Sequence, residues 1–95
     1  MKKILVIGAG SWGTALANTL AHKNKNVFLW TEKQNVSDQI NKTKINKKYF
    51  KKILLHKNIS SIFGKIDPKI YNFIFYVLPA KAFDKFLKNY LINNQ

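Results

Sequence analysis

Ile4-Leu5-Val6-Ile7-Gly8-Ala9-Gly10-Ser11-Trp12-Gly13-Thr14-Ala15-Leu16-Ala17 is the stretch that decides the fold of this chain. Its first four residues form an uninterrupted apolar run within Lys3 to Ile7. Such a run suits a strand covered on both faces in a parallel sheet, where an alternating pattern would suit one face in water. From Ser11 to about Asn24 the pattern turns helical: Trp12, Leu16 and Leu20 recur every four residues, and Ala15, Ala17 and Ala21 keep the helix slim. Between strand and helix, Gly8, Gly10 and Gly13 stand in G-x-G-x-x-G spacing. The spacing alone is a weak signal, but after a buried strand and at the mouth of a helix it has physical meaning. Gly8 allows a tight turn, Gly10 lets the backbone approach a diphosphate, and Gly13 lets helix and strand pack closely. The unpaired N–H groups of the first helical turn, with the helix dipole, would receive the phosphate charge.

Working outward, Asn24-Lys25-Asn26 breaks the helix and Val27-Phe28-Leu29-Trp30 reads as a second strand. Strand, helix and strand then occupy the length of one βαβ unit. Glu32 closes that second strand, 32 − 8 = 24 residues after Gly8. An acidic residue near that spacing holds ribose hydroxyls and repels the extra phosphate of NADP. Lys33 beside it would attract that phosphate. The residues lean towards NAD, with NADP left open.

A helix is expected from Gln34 to Lys42 with Val36 and Ile40 inward. Thr43 to Asn58 has two readings: a basic amphipathic helix with Ile45, Tyr49, Ile53 and Leu54 as its stripe, or a lysine-decorated excursion. Asn58 to Phe63 suits a short strand, and a turn or short helix follows through Gly64 and Asp67-Pro68. Phe73 to Leu78 reads as a second buried strand, closed by Pro79. A last helix sets Phe83, Phe86, Leu87, Tyr90 and Leu91 against Lys81, Asp84, Lys85 and Lys88. The fold class is therefore α/β: a Rossmann-type doubly wound parallel sheet, truncated after the fourth strand and its following helix.

At 95 residues the chain holds one domain, and 46% apolar residues can furnish a core. No apolar run is long enough to span a bilayer, and Met1 to Ile7 meets the glycines too soon for a signal peptide. The absence of cysteine excludes disulfides and thiolate metal sites and is compatible with a cytoplasmic setting. The net charge of +13 invites a nucleic-acid or membrane-surface reading through Lys42 to Lys57. Every basic side chain is Lys, however, and without arginine the bidentate readout of bases and phosphates is lost. The blander reading is a lysine-rich surface, and no specific nucleic acid is expected. Neither His22 nor His56 has a second His, Cys or carboxylate at metal spacing, and Trp30, Phe83 and Phe86 read as core aromatics.

The run Gly8 to Ala17, with Trp-Gly-Thr-Ala-Leu-Ala after its second glycine, resembles the opening of bacterial glycerol-3-phosphate dehydrogenases. The resemblance continues in order through Val27-Phe28-Leu29-Trp30, Ile40-Asn41, Asn46, Tyr49, Asn58-Ile59 and Val77-Leu78-Pro79-Ala80-Lys81-Ala82-Phe83. It implies an NAD or NADP site in which Ser11 and Trp12 contact the dinucleotide. Glu32 and Lys33 would stand at the adenosine end, and Tyr49 would be a further contact. It implies reversible hydride transfer between NAD(P)H and dihydroxyacetone phosphate, giving sn-glycerol 3-phosphate for phospholipid synthesis. Three positions depart from the family: Glu32 replaces a usual Arg or His, Tyr49-Phe50 is followed by Lys51 where proline is usual, and Leu78 interrupts a Val-Pro pair.

The family's catalytic lysines and helical substrate domain come beyond residue 95. Residues 1–95 are thus expected to be a partial NAD(P)-binding domain without dehydrogenase activity of its own and without a catalytic residue. The remaining alternatives are a small lysine-rich binding module and the cofactor half of another 6-phosphogluconate dehydrogenase-like oxidoreductase. In either dehydrogenase reading the fourth strand would become an exposed apolar edge, inviting self-association.

Overall fold

The computed structural model describes residues 2–49 and 53–92. Four strands, β1 (Lys3–Ile7), β2 (Asn26–Trp30), β3 (Ile59–Ile62) and β4 (Phe73–Tyr76), form one sheet in the order β3-β2-β1-β4 with every pairing parallel. Three helices connect and cover them: α1 (Ser11–Ala21), α2 (Gln34–Thr43) and α3 (Phe83–Tyr90). Short 3-10 turns at Pro68–Ile70 and Ala80–Ala82 flank β4. The doubly wound α/β expectation holds.

Alternation along β1 divides the core. Ile4 and Val6 join Val27, Leu29 and Ile59 in a layer beneath α1 and α2 that also contains Ala17, Ala21, Ile40 and Leu55. Leu5 and Ile7 point to the opposite face, with Trp30, Ile66 and Phe86. Each fully buried Leu or Ile contributes about 2 kcal/mol of transfer free energy, so the two layers together hold the sheet between helices. Trp30 is a core residue as expected: its ring meets Phe86 and Tyr90 edge-on, each at 5.0 Å, and its Nε1 donates to the Gly64 carbonyl at 2.9 Å.

Two expectations change in α1 and β4, and Phe83, read as a core aromatic, is 44% exposed. In α1 the buried face is Gly13, Thr14, Ala17 and Ala21; Leu16 and Leu20 are half-buried and Trp12 is 84% exposed. The small residues won because Gly13 must meet the backbone of the glycine turn, and this rotates the larger side chains outward. Second, the strand ends at Tyr76, and β4 is far from buried: Phe73, Ile74 and Phe75 are 47%, 42% and 37% exposed. The apolar run does form an inner-type strand, but among the described residues nothing pairs with its outer side.

Of the two readings of Thr43 to Asn58, the described residues 43–49 and 53–58 follow the excursion. Lys44 takes a left-handed conformation (φ 57°), which ends α2, and Asn46 and Leu55 are the buried anchors while Tyr49, Ile53 and Leu54 are exposed. The carbonyl of Lys44 accepts from the Leu55 N–H at 2.7 Å, closing the loop at its base. Phe50 and Lys51, which include the departure after Tyr49, lie outside the described residues, as do Asn93, Asn94 and Gln95.

Candidate functional site

Parallel strands place their carboxyl ends together, and the sheet order reverses direction between β1 and β4. Gly8 follows β1, Thr31 and Glu32 follow β2, and Leu78 lies just beyond β4. All four line one cleft with Ala9, Gly10, Trp30, Lys33, Val36, Lys48 and Tyr49. Ligands of open α/β sheets bind at this switch point.

The glycines divide the work. Gly8 has φ +120°, where an L side chain is strained, and a Cβ there would crowd Leu78 and Val77 at 3.1 to 3.3 Å. A Cβ on Gly13 would stand 1.6 Å from the carbonyl oxygen of Gly8, so α1 and β1 approach closely only because that atom is missing. Gly10 differs, since a Cβ there would meet nothing within 4 Å. It faces open space at the head of α1, where the first N–H groups of the helix have no intrahelical acceptors. The cradle that a Cβ would begin to fill, beside a helix N-terminus, fits an anionic diphosphate.

The other sequence candidates fall in different places. Glu32 and Lys33 are exposed on the cleft wall. The Glu32 carboxylate accepts from the Tyr90 hydroxyl at 3.3 Å, which links the end of β2 to α3. Burial, then the negative charge and hydrogen bond of Glu32, push the Tyr90 phenol above its ordinary value. Tyr49 also lines the cleft, and its backbone carbonyl accepts from the Ser11 hydroxyl at 3.5 Å. Ser11 sits on the first turn of α1 outside the cleft lining. Trp12 is not among the cleft-lining residues and lines an exposed apolar groove with Ala15, Leu16, Thr19 and Val77. Gly13 supports the turn from behind.

Sequence reasoning missed two residues. In the sequence Asn46 belongs to a pattern that assigns it no role, and Thr14 reads only as helix continuation. The structure brings both onto the glycine turn: Asn46 Nδ2 donates to the Ala9 carbonyl at 2.8 Å and to Thr14 Oγ1 at 2.9 Å. A lone polar residue in a lysine-rich stretch gives no sequence signal of burial. His22 and His56 do meet, edge to face at 5.1 Å, but no group of three metal-ligating side chains exists among the described residues.

Comparison with known proteins agrees with this geometry. A family model described as NAD-dependent glycerol-3-phosphate dehydrogenase N-terminus matches residues 3–93. Among curated relatives, a glycerol-3-phosphate dehydrogenase [NAD(P)+] of Bacillus velezensis is 40% identical over 95 residues, covering 96% of this chain and 27% of the relative. Its counterpart in Carboxydothermus hydrogenoformans is 37% identical over 87 residues, 90% of this chain and 26% of the relative. The chain therefore spans about a quarter of the length of the curated relatives it matches. The crystal structure of glycerol-3-phosphate dehydrogenase from Coxiella burnetii superposes with a TM-score of 0.78 at 29% identity, over 90% of this chain and 27% of that one. The yeast enzyme structure gives 0.77 at 25% identity, over 96% and 31%. From the glycine turn to the last helix, this chain belongs to the family of NAD-dependent glycerol-3-phosphate dehydrogenase amino-terminal domains.

Proposed function

We propose that residues 1–95 bind NAD or NADP in the cleft at the carboxyl ends of β1, β2 and β4, as the cofactor-binding part of a glycerol-3-phosphate dehydrogenase. The observation that carries this reading is the contrast between Gly13, packed against Gly8, and Gly10, open at the head of α1. In this reading the diphosphate lies against the turn from Gly8 to Gly10 and the first turn of α1, with Ser11 and Trp12 at its edge. Glu32 and Lys33 receive the adenosine ribose and Tyr49 closes the side. The bound dinucleotide supplies the hydride chemistry; this chain's residues bind and orient it. A phosphorylated triose substrate, its polarisation by catalytic lysines and reduction to sn-glycerol 3-phosphate belong to the complete enzyme.

The reading places the protein in the cytoplasm, without specific nucleic-acid binding; no described helix is long and apolar enough to cross a membrane. Self-association through β4 is part of it, supported by the exposure of Phe73, Ile74 and Phe75. Calorimetric titration with NADH and NADPH at low and high salt tests the central point. A chain of net charge +13 attracts any polyanion, so binding that survives high salt is the expected result. Preference for NADH supports the ribose role of Glu32. Loss of all binding with added salt would overturn the dinucleotide reading in favour of a lysine-rich polyanion binder.

A further inference from the structure

Asn46 lies 37 residues from Ala9 in sequence, yet its side chain is fully buried against the glycine turn. Its Nδ2 donates to the Ala9 carbonyl at 2.8 Å, and the Thr14 hydroxyl donates to the same oxygen at 3.3 Å. Two side chains thus converge on one backbone oxygen in the middle of Gly8-Ala9-Gly10. The other end of the amide, Oδ1, is buried with no partner among the described residues. Buried side-chain acceptors are nearly always satisfied, and an apolar side chain of the same shape would fill the place without an orphan. Burial alone does not account for an amide here, so its N–H groups are the part with a task.

Peptide geometry shows what the task is. The chain has no cis peptide among its described residues, and in a trans peptide the carbonyl and the following N–H point in opposite directions. Drawing the Ala9 carbonyl inward, between Asn46 and Thr14, turns the Gly10 N–H outward. Gly10 is the residue with open space before it. Flanked by two glycines, the turn has little conformational resistance of its own, so its orientation must come from outside.

We propose that Asn46 is a positioning residue for the phosphate-binding turn: through the Ala9 carbonyl it holds the Gly10 N–H aimed at the diphosphate of the dinucleotide. The proposal rests on the dinucleotide reading above. A donor already aimed costs nothing to orient when the ligand arrives. Asn46 also makes the excursion after α2 answerable to the site, since moving that loop releases the turn.

The test uses the 95-residue chain with ADP and adenosine as probes, followed by NMR at high salt. Asn46→Leu keeps the volume and removes both donor bonds together with the orphan oxygen. It is expected to bind ADP about tenfold less tightly, the scale of one hydrogen bond to a charged group. Adenosine affinity and melting temperature should remain near wild type. Thr14→Val, which removes the other donor without changing shape, should lower ADP affinity by a smaller factor with the same selectivity. Equal ADP affinity in Asn46→Leu and wild type overturns the proposal. So does an equal loss for adenosine and ADP, which marks a merely structural role. If Asn46→Leu does not fold, the ADP-to-adenosine ratio of Thr14→Val decides in the same way. Failure of the wild-type chain to bind ADP and NADH is a separate result that overturns the dinucleotide reading and the proposal with it.

Discussion

The two edges of the sheet end differently. On β3 the outward backbone groups are taken by side chains: Asn41 Nδ2 donates to the Ser61 carbonyl at 2.9 Å while Asn41 Oδ1 accepts from the Ser61 N–H at 2.7 Å. Lys44 Nζ donates to the Ile59 carbonyl beside them. Polar Ser60 and Ser61 lie between Ile59 and Ile62, the apolar ends of this strand. On β4 the sequence is Phe-Ile-Phe-Tyr, its only partner strand among the described residues is β1, and its first three side chains are largely exposed. A sheet edge closed by its own side chains resists further pairing, whereas an apolar unpaired one invites it. The cleft lies near the middle of the sheet, between a half that is finished and a half that is open.

The largest expected effect lies between the two halves, at the glycine turn. Gly13→Ala places a Cβ 1.6 Å from the Gly8 oxygen and 2.9 Å from Val77 Cγ2. The cost is expected to exceed the upper end of ordinary overpacking, about 3 kcal/mol, and urea unfolding followed by circular dichroism measures it. Leu29→Ala, in the layer between sheet and α1, should cost about 3 kcal/mol, whereas Ile74→Ala on the open edge should cost under about 1 kcal/mol. Similar losses at the two sites would mean that β4 is covered in solution. Asn41→Ala should cost about 1 kcal/mol by uncovering the β3 edge, and equilibrium sedimentation should then detect association through that side. Ile74→Lys is expected to reduce association of the wild-type chain with little change in unfolding midpoint. Smallest of all is Gly10→Ala, which should change stability by no more than about 0.5 kcal/mol because its Cβ meets nothing within 4 Å. A larger side chain at the same position should still fold and lose dinucleotide affinity.

Much of this was legible in the residues. The apolar run of β1, the glycine spacing and the helical onset at Ser11 are local signals governed by short-range geometry, and all three appear where they were expected. The same holds for β2, for Ile40 inward on α2 and for Phe86 inward on α3. Periodicity failed where a backbone contact overruled it: Trp12, Leu16 and Leu20 form a plausible apolar stripe, but the demand of Gly13 for the Gly8 carbonyl rotates Trp12 into water. At Thr43 to Asn58 periodicity left two readings open, because Ile45, Tyr49 and Ile53 imitate a helix. A left-handed Lys44 and the long-range bonds of Asn46 decide the path there, and neither is visible in a local pattern. Glu32 was legible as a cleft residue from its distance to Gly8, but its bond to Tyr90 spans 58 positions and needed the fold.

The most direct measurement is a titration of isotopically labelled chain with NADH at high salt, following backbone amide shifts. The predicted result is saturable binding with the largest shifts at Gly10, Ser11 and Trp12, smaller ones at Glu32 and Lys33, and little change along β3. Shifts scattered over the lysine-rich surface and abolished by salt would contradict a dinucleotide site at the head of α1.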